Sequence, residues 1–138
     1  MEFQESSRIS ALFPCYNENR NIRTLVKNAV QALKSLNCDY EIIIVNDGST
    51  DGTREIVERI SEENPKIRCI NHSKNRGYGA SLYTGFQHCQ YEYIFFSDAD
   101  NQFDLSEIRL LVNKIHEADL VTGYRHSRAD SALRLLNA

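Results

Sequence analysis

The sequence alternates between short runs of β-branched or aromatic residues and longer segments with helical periodicity. The run Tyr40–Val45 (YEIIIV) becomes continuously apolar after its second residue, as expected of a strand covered on both faces. The segment Thr53–Glu63 carries apolar residues at helical spacing and is followed by Pro65, which blocks extension of a helix. This alternation is typical of α/β proteins, so we expect a three-layer α/β/α sandwich with a mostly parallel sheet.

The other elements follow from the same two periodicities. Further strands are predicted at Ile9–Phe13, Ile67–Asn71, Tyr93–Ser97 and Leu120–Tyr124. Helices are predicted from Ile22 to Leu36, over Tyr78–His88, and from the capping-box sequence Asp104–Glu107 onward, with Leu105, Ile108, Leu111, Val112 and Ile115 facing inward. A chain of 138 residues has a length common for one domain, so residues 1–138 are expected to form one domain.

Composition excludes several classes of protein. A content of 41% apolar and 25% charged residues argues against disorder, and a net charge of −3 gives no support to a nucleic-acid-binding surface. The four cysteines form no Cys-x-x-Cys pair, which favours buried free thiols in a reducing compartment over zinc or disulfides. No signal-peptide pattern opens the sequence, and no apolar run approaches the ~20 residues of a membrane span. We expect a cytoplasmic domain whose membrane contact, in these residues, is at most peripheral.

Polar clusters directly follow the predicted strands. They are Pro14–Glu18, Asn46–Asp51, His72–Gly77, Asp98–Gln102 and Arg125–Arg128. In parallel sheets, ligands bind beyond the carboxyl ends of the strands. We therefore expect these clusters to share one edge of the sheet.

The cluster after the fourth strand predicts a metal site. In an extended segment Asp98, Asp100 and Gln102 project to one side, and their oxygens suit Mg²⁺ or Mn²⁺ better than zinc. Such a cation would neutralise a diphosphate and stabilise its negative charge as it leaves. The alternative is that the two aspartates are turn or cap residues.

The remaining clusters give weaker indications. Asp47 could accept hydrogen bonds from a ligand, or form an ordinary Asp-Gly turn. The glycine-rich stretch after the third strand has Leu82 where the dinucleotide fingerprint needs its third glycine, so that fingerprint is not present. Two interpretations remain: the stretch approaches a ligand, with Arg76 near a phosphate, or it is an ordinary loop. Arg125 and Arg128 could grip phosphate or be solvated surface charges.

Several polar residues are assigned no chemistry. Ser49, Thr50 and Asp51 are interpreted as helix N-caps. The four histidines show no ligand spacing, and no serine, cysteine and histidine pattern indicates a nucleophilic triad.

Taken together, these loops resemble the inverting family-2 glycosyltransferases of the GT-A fold. The stretches that carry the resemblance are Phe13–Glu18, Val45–Gly52, Asn75–Ala80 and Phe96–Gln102, in that order along the chain. The most similar branch is that of the polyprenyl-phosphate sugar transferases, which resemble dolichol-phosphate mannosyltransferase. The resemblance extends essentially from Ile9 to Arg128.

The resemblance implies a nucleotide pocket at the first two loops. Pro14, Tyr16 and Glu18 would line it, with Glu18 near the base or ribose. Asp47 would bind the base, with Val45 beside it. The donor would be a UDP- or GDP-linked sugar.

The resemblance also implies the parts that hold the diphosphate. Asp98 and Asp100 would be the metal-binding pair, with Ala99 and Gln102 adjoining, and Arg125 would lie near the phosphates. Two departures leave the sugar and acceptor open: Asn46 stands where the family often has a second acid, and Asn101–Asp104 where the branch often reads Leu-Gln-His-Pro.

Members of this branch are usually much longer, and many add membrane helices. We therefore expect this chain to be the donor-binding part of a longer protein, in which residues 126–138 begin an interfacial segment. Membrane contact, at the cytoplasmic face, would come from parts absent here.

The resulting hypothesis is metal-dependent sugar transfer with inversion, for a cell-envelope polysaccharide. A polyprenyl phosphate acceptor is already anionic near neutral pH and needs less help from a general base, and the sequence identifies none. The alternatives are a non-catalytic nucleotide-sugar-binding module and a receiver-like Mg²⁺-binding signalling domain. The latter needs a lysine near the acids, and only Lys114, in a predicted helix, follows Asp100.

Overall fold

The sheet is parallel throughout its described length. A computed structural model describes residues 3–4 and 6–123, within which four strands form one sheet in the order β3-β2-β1-β4. The strands are β1 (Arg8–Cys15), β2 (Asp39–Asn46), β3 (Ile67–Asn71) and β4 (Tyr93–Phe96). The two central strands pair from Arg8 opposite Asp39 to Cys15 opposite Asn46, so their carboxyl ends are level. The predicted α/β fold is confirmed.

Helices connect successive strands, and a short one follows the last. They are α1 (Ile22–Lys34), α2 (Thr53–Glu63), α3 (Tyr78–His88) and, after a 3-10 turn at Leu105–Glu107, α4 (Ile108–Val112). The predicted bounds of α2, β3 and α3 are confirmed to the residue, whereas α1 ends before the predicted Leu36.

The sheet separates two layers of helices. Because successive side chains of a strand point to opposite faces, Phe13 and Ile44 join the larger core with residues of α1 and α2. Leu12, Ile43 and Val45 form the smaller core on the other face, where Leu82 of α3 packs against them. Burial on both faces explains why β2 reads as a continuous apolar run.

The predicted fifth strand, Leu120–Tyr124, is wrong over the residues that the structure describes. Residues 120–123 form no strand, and Leu120 is 68% exposed. Tyr124 lies outside the described residues. An apolar run becomes a strand only where a neighbouring strand takes its backbone hydrogen bonds, and the sequence pattern does not supply that neighbour.

The helix predicted from Asp104 is also shorter than expected. Leu105 and Ile108 are buried, whereas Leu111, Val112 and Ile115 are only half-buried, and α4 ends at Val112. Val112 packs against the larger core, and the helix does not continue beyond it.

All four cysteines are free, as predicted. Cys15 is buried, and burial raises the pKa of its thiol to about 12, so it stays protonated. The prediction of full burial is wrong for Cys38, Cys69 and Cys89, which are half-buried. No helix among the described residues is long and apolar enough to span a membrane.

Candidate functional site

Four of the five polar clusters predicted to share an edge follow β1, β2, β3 and β4 in the structure. Since all four strands are parallel, their carboxyl ends lie on the same side of the sheet. The fifth cluster, Arg125–Arg128, lies outside the described residues. The predicted position of Arg125 near the phosphates therefore stays a prediction.

The loops after β1 and β2 are joined by hydrogen bonds. Asn17 has a positive φ of 55° and donates its backbone N–H to Ser49 Oγ at 2.9 Å. Its side-chain Oδ1 accepts the backbone N–H of Thr50 at 2.8 Å, and the N–H of Glu18 donates to Thr53 Oγ1 at 2.9 Å. These contacts hold the first two sequence motifs together as one unit.

The interpretation of Ser49, Thr50 and Asp51 as helix caps is wrong in its main point. The N-cap of α2 is Gly52, with φ 89° and no side-chain cap. Asp51 accepts the N–H of Thr53 at 3.0 Å but also that of Asn19 at 3.2 Å, so it links two loops as well as the helix start. Cap and loop-linking residue types are alike, which is why local sequence does not distinguish the two roles.

Asp47 is buried at the end of β2 and its carboxylate faces the loop after β3. Oδ1 is 2.6 Å from His72 Nδ1 and accepts the N–H of Arg76 at 2.9 Å, while Oδ2 accepts the N–H of Gly77 at 2.8 Å. Burial acts to raise the pKa of Asp47, but these hydrogen bonds outweigh it, so its pKa lies below the ordinary value. The carboxylate is thus ionised. Its predicted hydrogen bond with a nucleotide base stays a prediction. Oδ2 is the oxygen with more room for such a bond, because it has one partner and Oδ1 has two.

Gly48 allows the two loops to touch. Its φ is 68°, and a Cβ on it would lie 2.3 Å from the carbonyl carbon of Lys74 and 2.5 Å from the nitrogen of Asn75. Only glycine fits such a contact with backbone atoms at a positive φ. Asp47 and Gly48 therefore shape the site whether Asp47 binds a ligand or the pair forms only a turn.

The role of His72 at the site was missed by sequence reasoning. His72 is 8% exposed, and its Nε2 lies 2.9 Å from Thr84 Oγ1 of α3. The sequence analysis tested the histidines for metal-ligand spacing and for a nucleophilic triad, and it included His72 in a polar cluster at the sheet edge without assigning it a role. The signal that could have suggested a role is that His72 directly follows β3, at the same sheet edge as Asp47.

The predicted metal pair lies in the loop after β4. Asp98 and Asp100 are half-buried and flank Ala99, which is 4% exposed and packs in the larger core. Asp100 Oδ1 accepts the backbone N–H of Gln102 at 3.0 Å. Asn101, with φ 58°, donates its side-chain amide to the carbonyl of Asn21 at 2.9 Å and so fastens this loop to the start of α1.

The donor set of this loop fits a hard divalent cation with open positions. Over residues 6–123 no ion pair involves Asp98 or Asp100, and no group of three or more histidines, cysteines and acids could hold a metal. Two carboxylates alone leave most of an octahedral shell to water and to oxygens of a bound ligand, as is usual for Mg²⁺. Binding by Gln102, predicted as a third ligand, stays a prediction.

Tyr78, the first residue of α3, lies near this pair. Partial burial and the nearby carboxylate of Asp98 raise the pKa of its hydroxyl to about 12, so the hydroxyl is neutral near pH 7. The start of α3 therefore lies close to the predicted diphosphate site.

The other predicted residues divide by exposure. Tyr16 is 46% exposed, Arg76 is exposed, and Glu18 is half-buried with Oε2 accepting the Asn21 side-chain amide at 2.7 Å. Pro14 and Val45 are paired in register and buried. Ala99 is also buried, and the predicted contacts of these three residues with the donor stay predictions.

Lys114 does not join the acidic residues. Its ammonium pairs with Glu117 Oε1 at 2.7 Å, beyond the end of α4. A receiver-like domain needs this lysine beside the acids, so the structure does not favour that alternative.

Residues 10–134 match the model of the Glycosyl transferase family 2. The chain belongs to this family. CsbB of Bacillus subtilis (strain 168), a glycosyltransferase by name, is 31% identical over 129 residues. That alignment takes in 93% of this chain and 39% of CsbB, so the chain spans well under half the length of this relative.

Two solved structures share the fold. The mannosyltransferase PcManGT from Pyrobaculum calidifontis, in complex with GDP-Man and Mn²⁺, is 24% identical with a TM-score of 0.65, over 83% of this chain and 33% of that chain. TarS 1–349 of S. aureus, in complex with UDP-GlcNAc, is 22% identical with a TM-score of 0.63, over 80% of this chain and 31% of that chain. These likenesses confirm the fold of the GT-A glycosyltransferases. The polyprenyl-phosphate branch stays a prediction.

Proposed function

We propose that this chain is the donor-binding part of a glycosyltransferase that takes a sugar from a UDP- or GDP-linked donor. The observation that carries the proposal is the pair Asp98 and Asp100, half-buried and without an ion-pair partner in the described residues, at the sheet edge that also carries Asp47. Family membership supports it, as do two relatives of the same fold with sugar nucleotides.

Each loop contributes a different part of donor recognition. The exposed ring of Tyr16 and the carboxylate of Glu18 border the nucleotide, and Asp47 accepts a hydrogen bond from the base. Arg76 lies in the loop bound to Asp47 and is free to approach the phosphates, a role that it shares with Arg125. Asp98 and Asp100 would hold a divalent cation, Mg²⁺ or Mn²⁺. When bound, such a cation neutralises the negative charge of a leaving diphosphate.

The acceptor is proposed to be a polyprenyl phosphate, attacking the anomeric carbon with inversion. A phosphate oxygen is anionic near neutral pH, so the reaction does not depend on a strong general base. This matches the lack of an assigned base among the described site residues. The acceptor places the complete protein at the cytoplasmic face of a membrane, in the synthesis of a cell-envelope polysaccharide.

Calorimetric titration with UDP and GDP, with and without Mn²⁺, tests the donor site. Wild type is expected to bind one of the two nucleotides, and only with the metal. Asp100→Asn is expected to weaken binding at least about tenfold, because a neutral amide is a much poorer ligand for a hard cation.

Asp104→Asn is the matched control for this titration. Asp104 is an exposed acid of the same loop that accepts the N–H of Ser106 at 2.9 Å and lies outside the metal pair. It is expected to bind like wild type. Equal binding by Asp100→Asn and wild type would contradict the metal site, and donor binding without turnover in the complete protein would favour a non-catalytic module.

A further inference from the structure

A buried chain of hydrogen bonds runs from the end of β2 to the middle of α3. Asp47 Oδ1 lies 2.6 Å from His72 Nδ1, and His72 Nε2 lies 2.9 Å from Thr84 Oγ1. The side chains of Asp47 and His72 are each 5% exposed. Both ring nitrogens of the imidazole thus have protein partners, so His72 acts through these neighbours.

The partners of His72 fix which ring nitrogen carries a proton. An ionised carboxylate only accepts hydrogen bonds, so Nδ1 must be the donor to Asp47. The hydroxyl of Thr84 both donates and accepts, so it satisfies Nε2 in the neutral and in the charged ring. The bond to Asp47 is thus kept in either state of the histidine.

The loop after β3 depends on the carboxylate that His72 holds. Asp47 Oδ1 also accepts the N–H of Arg76, and Oδ2 accepts that of Gly77. Gly77 is the N-cap of α3, with φ 95° and no side-chain cap of its own. The orientation of this carboxylate therefore helps to set the Arg76 backbone and, together with Asn75 Oδ1 at 3.1 Å from the Gly77 nitrogen, the start of α3.

We propose that His72 is a positioning residue for donor binding. It fixes the carboxylate of Asp47, which in turn fixes the loop Lys74–Gly77 beside the nucleotide and phosphates. The proposal rests on the proposed function, because it assigns that loop to the donor site. Without the imidazole donor, the buried carboxylate keeps only the two loop amides and can rotate away from them.

Two amide variants separate the two bonds of the ring. His72→Asn places an amide N–H near the position of Nδ1 and so keeps the donor to Asp47. His72→Gln places its amide near the position of Nε2 and keeps only the contact with Thr84. Both are polar and close in size, so they form a matched pair.

The first measurement is amide hydrogen exchange by NMR on the ligand-free protein. In His72→Gln, exchange at Arg76 and Gly77 is expected to be about tenfold faster than in wild type, as for loss of one buried hydrogen bond to a charged group. In His72→Asn it should stay close to wild type. Exchange at Ile43, in the core of β2, should be unchanged in both, which a general loss of stability would not produce.

The second measurement is the dissociation constant for UDP and GDP with Mn²⁺. His72→Gln is expected to bind about tenfold more weakly than wild type, and His72→Asn to rescue most of the loss. Equal exchange and equal affinity in the two variants would overturn the proposal. If neither variant folds, a wild-type His72 ring with its proton on Nε2 rather than Nδ1 would overturn it.

The two proposals fail in different ways. If wild type binds neither nucleotide while the exchange pattern is as expected, the donor function is wrong and the positioning of the loop by His72 stands. If wild type binds and His72→Gln binds equally well, the donor function stands and the role of His72 is wrong.

Discussion

Glu41 is a buried acid at the end of the sheet opposite the candidate site. It accepts Ser10 Oγ–H at 2.6 Å, the N–H of Gln90 at 2.8 Å and Arg68 Nη2 at 2.7 Å. Burial acts to raise the pKa of Glu41, but these hydrogen bonds lower it below the ordinary value. Its stabilisation is therefore complete above the unfolded pKa and is lost as the pH falls through the folded pKa.

Glu41→Gln should destabilise the protein by about 1–3 kcal/mol near pH 7, since it leaves Arg68 without its charged partner. The difference from wild type should shrink as the pH is lowered below about 4, where the wild-type carboxylate also becomes protonated. Thermal unfolding of wild type and Glu41→Gln between pH 7 and a pH below about 4 measures this difference in stability. Glu117→Gln, in the exposed pair with Lys114, is the control and should have little effect at any pH.

At the level of single residues, local pattern identified acids but not their long-range partners. The acidic residues Asp47, Asp98 and Asp100 were predicted from their positions directly after strands. The bond between Asp47 and His72 spans 25 residues, and that between His72 and Thr84 spans 12. Such pairs arise only when β2, β3 and α3 are packed together, and no periodicity in the sequence encodes them.

At the level of elements, the close approach of α3 to the sheet depends on Gly85. A Cβ on Gly85 would lie 2.2 Å from Leu12 Cδ1, and Leu12 is fully buried in β1. Gly85→Ala should destabilise the protein by about 1–3 kcal/mol, because overpacking a core displaces side chains or backbone. Chemical denaturation measures the free energy of unfolding.

Gly79→Ala is the matched control in the same helix. Nothing lies within 4 Å of a Cβ built on Gly79, in the first turn of α3, so the substitution gains helix propensity, at most about 1 kcal/mol, without a clash. A loss of stability in Gly79→Ala equal to that in Gly85→Ala would contradict the packing argument.

The bounds of α2, β3 and α3 were predictable because sharp local signals mark them, such as Pro65 after α2 and Gly77 before α3. The fifth strand failed for a different reason. The run at 120–123 has the composition of a strand, but strand formation is decided by a partner elsewhere in the fold. Pattern identifies which segments can form strands, and tertiary pairing selects among them.

At the level of the whole molecule, residues 10–134 establish family membership. Membership does not mean that this chain contains every part of the enzyme. The chain spans 39% of CsbB and 33% of PcManGT. The described part holds the loops proposed to border a nucleotide and the acidic pair proposed to hold a metal. Donor binding is therefore the property that this chain can be tested for alone, and transfer must be measured on the complete protein.

The outer edge of β4 is a surface of the described sheet at which another chain could pair. β4 pairs only with β1 among the described strands, and its side chains Ile94 and Phe96 are 43% and 40% exposed. Phe96 contacts Phe86 of α3, itself 40% exposed, with ring centroids 5.5 Å apart. An unpaired edge strand beside exposed aromatic rings is a template for pairing with another chain.

We expect the 138-residue chain to self-associate as its concentration rises, and Phe96→Lys to shift it toward the monomer, because a charge on the edge opposes strand pairing. Sedimentation velocity over a concentration series measures the distribution. Leu110→Lys removes a side chain that is 63% exposed on α4 and should leave association unchanged. Monomeric wild type at all concentrations, or equal shifts in the two variants, would show that the β4 edge is not the associating surface.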